Sequence, residues 1–228
     1  MNKKTLTLLV AAAFAAPTLA SAKDFTGFGA AVELQLKSTG SQYTESFTEP
    51  GVYSDSSSED LGGKQDVIGA VNLWYGFNVT PTVVLQIGGT YDLGKTEAGG
   101  YAYSDTDGDW ESFEVKESNH YSLYLAPGYR VTPKTLVYGK IAYHSMKLKE
   151  SYSDSSGGSD SSSESFRGLG LGAGVSTMLT NNIFLYAEAQ HVMYKEKTVF
   201  SATFGSGTYS EKVKPTSTIG SIGIGYNF

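Results

Sequence analysis

Ile222-Gly223-Ile224-Gly225-Tyr226-Asn227-Phe228 decides how this chain is read, because its apolar residues recur at every second position and share one face of an extended strand. On a helix the same residues would scatter around the cylinder. Toward the amino end the period of two returns in seven more segments of roughly 10 to 14 residues, each long enough for a tilted strand to cross a bilayer. The first runs from Phe25 to Lys37, with Phe28, Ala30, Val32, Leu34 and Leu36 on one face and Gly29, Glu33 and Gln35 on the other. The second and third alternate through Val71, Leu73, Tyr75 and through Leu85, Ile87, Tyr91, the fourth and fifth through Tyr121, Leu123, Leu125 and through Val137, Ile141, Tyr143. The sixth sets Gly168, Gly170, Gly172 and Gly174 opposite Leu169, Leu171, Ala173 and Val175, and the seventh sets Ile183, Leu185 and Ala187 opposite Tyr186, Glu188 and Gln190. The pattern predicts an all-β chain forming an eight-stranded antiparallel up-and-down transmembrane β-barrel.

The connections fall into two classes. Thr80-Pro81-Thr82, Thr132-Pro133-Lys134 and Thr180-Asn181-Asn182 are tight reversals, whereas the segments after the first, third, fifth and seventh strands are long. Short turns on one side and long loops on the other are the asymmetry of outer-membrane barrels, and an even strand number leaves both termini in the periplasm. Ser54 to Asp60 (SDSSSED) and Ser153 to Ser165 (SDSSGGSDSSSES) are too polar to bury apolar area, so both are expected to be flexible acidic loops. The other two long segments look like protruding hairpins: Tyr101, Tyr103, Trp110 and Phe113 flank Asp107-Gly108, and Val199 to Phe204 returns through Tyr209 to Val213.

Asn2-Lys3-Lys4, the apolar stretch Leu6 to Ala16 and the small residues Ala20-Ser21-Ala22 have the layout of a secretory signal peptide, residues 1–22, leaving 23–228 as one barrel domain. Loss of Lys3 and Lys4 takes the formal charge from -6 to about -8, which excludes nucleic acid as a partner. There is no cysteine, so neither a lipid anchor on cysteine nor a disulfide is available. Sixteen tyrosines and 27 glycines suit a barrel with aromatic girdles and a crowded interior.

Several motifs together carry a family resemblance: Val79-Thr80-Pro81 and Val131-Thr132-Pro133, Leu136-Val137-Tyr138-Gly139-Lys140, the glycine-alternating sixth strand, and the terminal signal made by Ser221, Gly223, Tyr226 and Phe228. In this order and spacing the chain resembles the small eight-stranded outer-membrane barrels of the OmpX and OmpA membrane-domain type. The resemblance implies a monomeric, non-enzymatic protein of the Gram-negative cell envelope, carried by periplasmic chaperones to the barrel assembly machinery that reads the terminal signal. Lipid and lipopolysaccharide would surround it, and its roles would range through envelope stability and adhesion to a surface ligand. No cofactor is implied.

An eight-stranded barrel is filled by its own side chains, so buried charges within it must be paired. Lys140 and Glu188 face inward at similar heights with the glycine strand between them, and are expected to pair; Glu33, Asp92 and Arg130 are expected to extend the network. The arrangement reads as a plug, with a gated passive pore as the alternative. Tyr101, Tyr103, Trp110 and Phe113 are candidates for extracellular contact, with cross-strand stiffening as their simpler role. Asp105-Thr106-Asp107-Gly108-Asp109 fails the calcium-loop pattern at Trp110 and Lys116 and reads as an acidic tip. His120, His144 and His191 lie on three strands without metal-site spacing. His120 and Ser122 echo a lipid A deacylase pair, but face the lumen with no acid evident to orient the histidine.

Overall fold

The structure is a computed structural model in which residues 25–106 and 108–228 are described. The proposed leader, 1–22, and Asp107 of the expected hairpin tip lie outside the described residues. Eleven strands follow in order: β1 (Gly27–Glu49), β2 (Tyr53–Leu61), β3 (Gln65–Asn78), β4 (Val83–Asp92), β5 (Thr96–Ser104), β6 (Trp110–Thr132), β7 (Thr135–Asp154), β8 (Ser159–Met178), β9 (Ile183–Tyr194), β10 (Lys197–Phe204) and β11 (Gly207–Asn227). Eight of them form the expected ring, β1-β3-β4-β6-β7-β8-β9-β11, closed by antiparallel pairing of β11 with β1 from Gly29↔Asn227 to Thr48↔Thr208. Closure removes the edges that would otherwise leave backbone groups unpaired in lipid.

Alternation decides which way each side chain faces. Leu34, Leu123, Leu169 and Ile222 are 57%, 60%, 60% and 63% exposed, an apolar belt that water would penalise and hydrocarbon accepts. Tyr75 and Tyr129 mark the belt's lower rim near the short turns, where Phe28, Tyr226 and Phe228 also stack, and Tyr91, Tyr121 and Tyr143 mark its upper rim. The opposite face fills the lumen, and its lower half is an aromatic core of Trp74, Tyr124, Tyr138, Phe184 and Tyr186. The glycines of β8 are what admit these rings: a Cβ on Gly174 would lie 2.5 Å from the Tyr138 ring, and one on Gly170 would lie 2.6 Å from Nε2 of His144.

Above the belt the strands are unequal. β3 starts opposite Ser38, and β4 and β9 stop at Asp92 and Tyr194, while β1, β6, β7, β8 and β11 continue. The three strands outside the ring attach to these continuations, making two walls of four strands, β10-β11-β1-β2 and β5-β6-β7-β8. Because β1 and β7 stand four places apart in a ring of eight, the walls rise from opposite sides of the mouth. Their bases meet in a second apolar core that includes Val115, Leu148, Phe166, Tyr194 and Val213, with Tyr43 and Phe113 packed against it.

The acidic serine tracts depart from expectation. Ser54 to Asp60 forms most of β2 and Ser159 to Ser165 the start of β8, each laddered onto a ring strand. A backbone ladder needs no buried side chain, and hydroxyl pairs such as Thr44 with Ser58 at 2.9 Å and Thr48 with Ser54 at 3.4 Å reinforce it. Only Ser155 to Gly158 remains as a turn, where Asp154 Oδ1 accepts from the amides of Ser156 and Gly158, both at 2.9 Å.

Candidate functional site

Two regions concentrate polar chemistry: the lumen, and the facing surfaces of the walls. In the lower lumen, the Lys140 ammonium donates to Glu188 Oε1 at 2.8 Å, and the Tyr138 hydroxyl donates to Glu188 Oε2 at 3.1 Å. Lys140 lies opposite Gly172 on β8 and Glu188 opposite Gly174, so the pair meets across a strand that puts no side chain between them. The ammonium also sits 4.2 Å from the centre of the Tyr124 ring, whose hydroxyl donates to Asn72. Glu33 joins this layer through hydrogen bonds from Gln35, at 2.6 Å, and from the Tyr186 hydroxyl.

A second charged layer lies above the first, and its centre is Lys37, fully buried. Its ammonium donates to Asp92 Oδ2 at 3.0 Å and to Glu117 Oε1, while Glu117 Oε2 accepts from Thr39 at 2.8 Å and Thr96 at 3.2 Å. Glu117 reaches the lumen through a β-bulge. The β6–β7 register slips between Ser118 and Tyr121, with Asn119 at φ 51, so that Glu117 and His120 both point inward although three positions apart. Asparagine tolerates that backbone better than most residues.

The same layer holds a chain of side chains. His120 Nδ1 lies 2.7 Å from Asp92 Oδ2, His120 Nε2 lies 2.9 Å from His144 Nδ1, and His144 Nε2 lies 2.7 Å from Gln190 Nε2. The Gln190 amide nitrogen can only donate, which fixes the direction of the rest: His144 accepts from it and donates to His120, which donates to Asp92. The two rings stack with 5.1 Å between centroids. One oxygen or nitrogen from each of Asp92, Glu117 and His120 lies within 4.8 Å of the others, and the two carboxylates already hold the Lys37 ammonium as their cation.

The predicted network is thus divided. Lys140, Glu188 and Glu33 gather in the lower layer and Asp92 belongs to the upper one. Arg130 sits at the short-turn end instead, where its guanidinium donates to the carbonyl of Pro81 at 2.7 Å and to Asn78 Oδ1 at 2.6 Å. Lys37 and Glu117 were missed by sequence reasoning, and so was the contact between His120 and His144. An acid does orient His120, contrary to expectation, yet the arrangement is enclosed, and Ser122 is buried with it.

On the walls, Tyr101 stacks on Phe113 across the β5–β6 ladder with centroids 5.8 Å apart, and its hydroxyl donates to Glu111 at 2.6 Å. Tyr103 and Trp110 are exposed beside the tip. The terminal signal residues lie on β11: Ser221 and Gly223 face inward, Tyr226 faces outward, and the Phe228 amide following the strand donates to the Phe28 carbonyl at 2.9 Å.

No protein of curated function matches the chain significantly. Among solved structures it is similar to Ail, the attachment invasion locus protein of Yersinia pestis, at 17% identity over 89% of this chain and 100% of that one with a TM-score of 0.41. It is also similar to the outer membrane protease OmpT from Escherichia coli, at 14% identity over 92% and 99% with a TM-score of 0.49, and to Neisserial surface protein A, at 14% over 86% and 97% with 0.34. These likenesses concern the fold. Residues 6–228 match the family described as the outer membrane protein beta-barrel domain, and with the closed ring and its apolar belt the chain belongs to that family of bacterial outer-membrane barrels.

Proposed function

We propose that this protein is a closed, non-enzymatic barrel that serves the cell envelope as a mount, with its working surface on the two walls above the membrane. The observation that carries the reading is the stacking of the lumen: an aromatic plug, two layers of charge built around buried ion pairs, and an apolar core where the walls meet. Every group a gate would have to move already holds a partner, and an unpaired charge in such a place is expensive. The chain invests its length elsewhere. Ring strands of 20 to 23 residues in β1, β6, β7, β8 and β11 far exceed the roughly 10 needed to span hydrocarbon. In this reading the walls face the outside of the cell, the short turns and both ends face the periplasm, and lipopolysaccharide surrounds the upper belt.

Planar-bilayer recording of the purified, folded protein tests the reading, with a boiled sample as control. A silent bilayer is expected. Discrete current steps that vanish on boiling would turn the lumen charges into a gate and overturn the closed mount.

A further inference from the structure

Among the described residues, no further sheet or helix packs on the inward faces of the two walls above the core at their base. Register assigns their residues. On the first wall Tyr43 lies opposite Val213, Glu45 opposite Glu211, and Phe47 opposite Tyr209. On the second, Val115 lies opposite Glu150, Phe113 opposite Tyr152, and Glu111 opposite Asp154. Both faces therefore repeat one theme, aromatic rings alternating with carboxylates.

The carboxylates are arranged against their own interest. Glu45 faces Glu211 directly across a ladder, and so does Glu111 face Asp154, juxtapositions that destabilise a sheet. Glu150 is half-buried and its nearest hydrogen-bond partner is Ser162 at 3.4 Å; burial, Glu164 and Glu211 of the opposite wall hold its carboxyl above the usual range. The influence of Glu211 on Glu150 reaches from one wall to the other. Among the described residues the cation on these faces is Lys197, and Glu164 already holds it. The lysines of the same strands, Lys116, Lys149 and Lys212, fall on the outward faces by alternation, so the walls are sorted by charge.

We infer that the cleft between the walls is a docking site for an extended, arginine-rich segment of a partner polypeptide. The inference rests on the surface-mount reading above. Charge complementarity calls for a cation, and the interleaved rings favour guanidinium, which stacks on aromatic faces while pairing with carboxylates in two-pronged fashion. Along a strand the acidic positions recur at every fourth residue, as Glu150 and Asp154 do on β7, a spacing of about 13 Å, which a chain of charges can follow and a single small cation cannot. The short strands β3, β4 and β9 leave the flanks between the walls low, so an extended chain can enter on one side and leave on the other.

The test uses the full folded chain in zwitterionic micelles and fluorescent nona-arginine, read by anisotropy. Saturable binding is expected, tighter than for nona-lysine and absent for nona-glutamate. The triple variant Glu45→Gln, Glu150→Gln, Glu211→Gln should weaken it by about tenfold or more, since it removes the charges that meet the ligand. A variant with the same charge change on outward or peripheral positions, Asp60→Asn, Glu114→Gln, Glu196→Gln, should bind as wild type. Equal weakening by both triples would mean attraction by bulk charge alone and overturn the proposal, as would equal affinity for nona-lysine. Failure of wild type to bind, with a silent bilayer, would remove this occupant and leave the closed mount standing.

Discussion

Lys37 is one ammonium serving two buried carboxylates, so its removal should be felt more than any surface change. Lys37→Ala would leave Asp92 and Glu117 facing each other without a cation, at a cost of roughly 3 to 5 kcal/mol. The urea midpoint for unfolding in micelles measures it, and adding Asp92→Asn and Glu117→Gln to the variant should restore most of the loss. An unchanged midpoint for Lys37→Ala would refute the upper layer as a structural element. The sequence held a sign of this residue, because Glu33, Gln35 and Lys37 share parity along β1. Glu117 had no such sign: strict alternation puts it on the face opposite His120, and only the left-handed Asn119 brings both inward.

At the scale of elements, the hairpin of β7 and β8 carries two carboxyls that the fold shifts in opposite directions. Asp154 is held below the usual carboxylate range by the Ser156 hydroxyl and the Gly158 amide, whereas Glu150 is held above it, chiefly by burial. The depressed group contributes stability that is present above its unfolded value and lost as pH falls through its folded one; the raised group carries a penalty while ionised that is relieved as pH falls through its folded value. Acidification from neutrality should therefore first tighten this hairpin and then loosen it. Amide hydrogen exchange across Lys147 to Ser165, corrected for intrinsic rate, reads both phases. Glu150→Gln should abolish the first and Asp154→Asn the second. The hairpin itself was illegible as ordered structure, because a Ser-Asp-Glu composition hides a ladder whose partner, β7, supplies the apolar residues.

For the whole molecule, what was legible followed from polarity. Lipid outside and packed side chains inside impose opposite demands at a period of two, so the eight ring strands, their turns and the meeting of Lys140 with Glu188 could be read directly from residues such as Leu169 and Gly172. What escaped depended on distance in sequence. His120 and His144 are 24 positions apart, and bringing them together required carrying the β6–β7 register up from the turn at Pro133 to Ser122↔His144. The two walls escaped for a related reason, since their opposition exists only once the ring has closed. That closure also makes the place where the polypeptide starts a matter of convention. The Phe228 amide bonds to the Phe28 carbonyl, so a short linker could join Phe228 to Phe25, where the described barrel begins, without disturbing the ladder, and the chain could be cut at Gly157, in the exposed turn between β7 and β8. Such a circular permutant, refolded into micelles, should recover the same melting behaviour and the same lumen. It would place Ser221 to Phe228, expected from the sequence to act as an assembly signal, in the interior of the chain, so that stability in micelles and insertion in a cell could be measured apart.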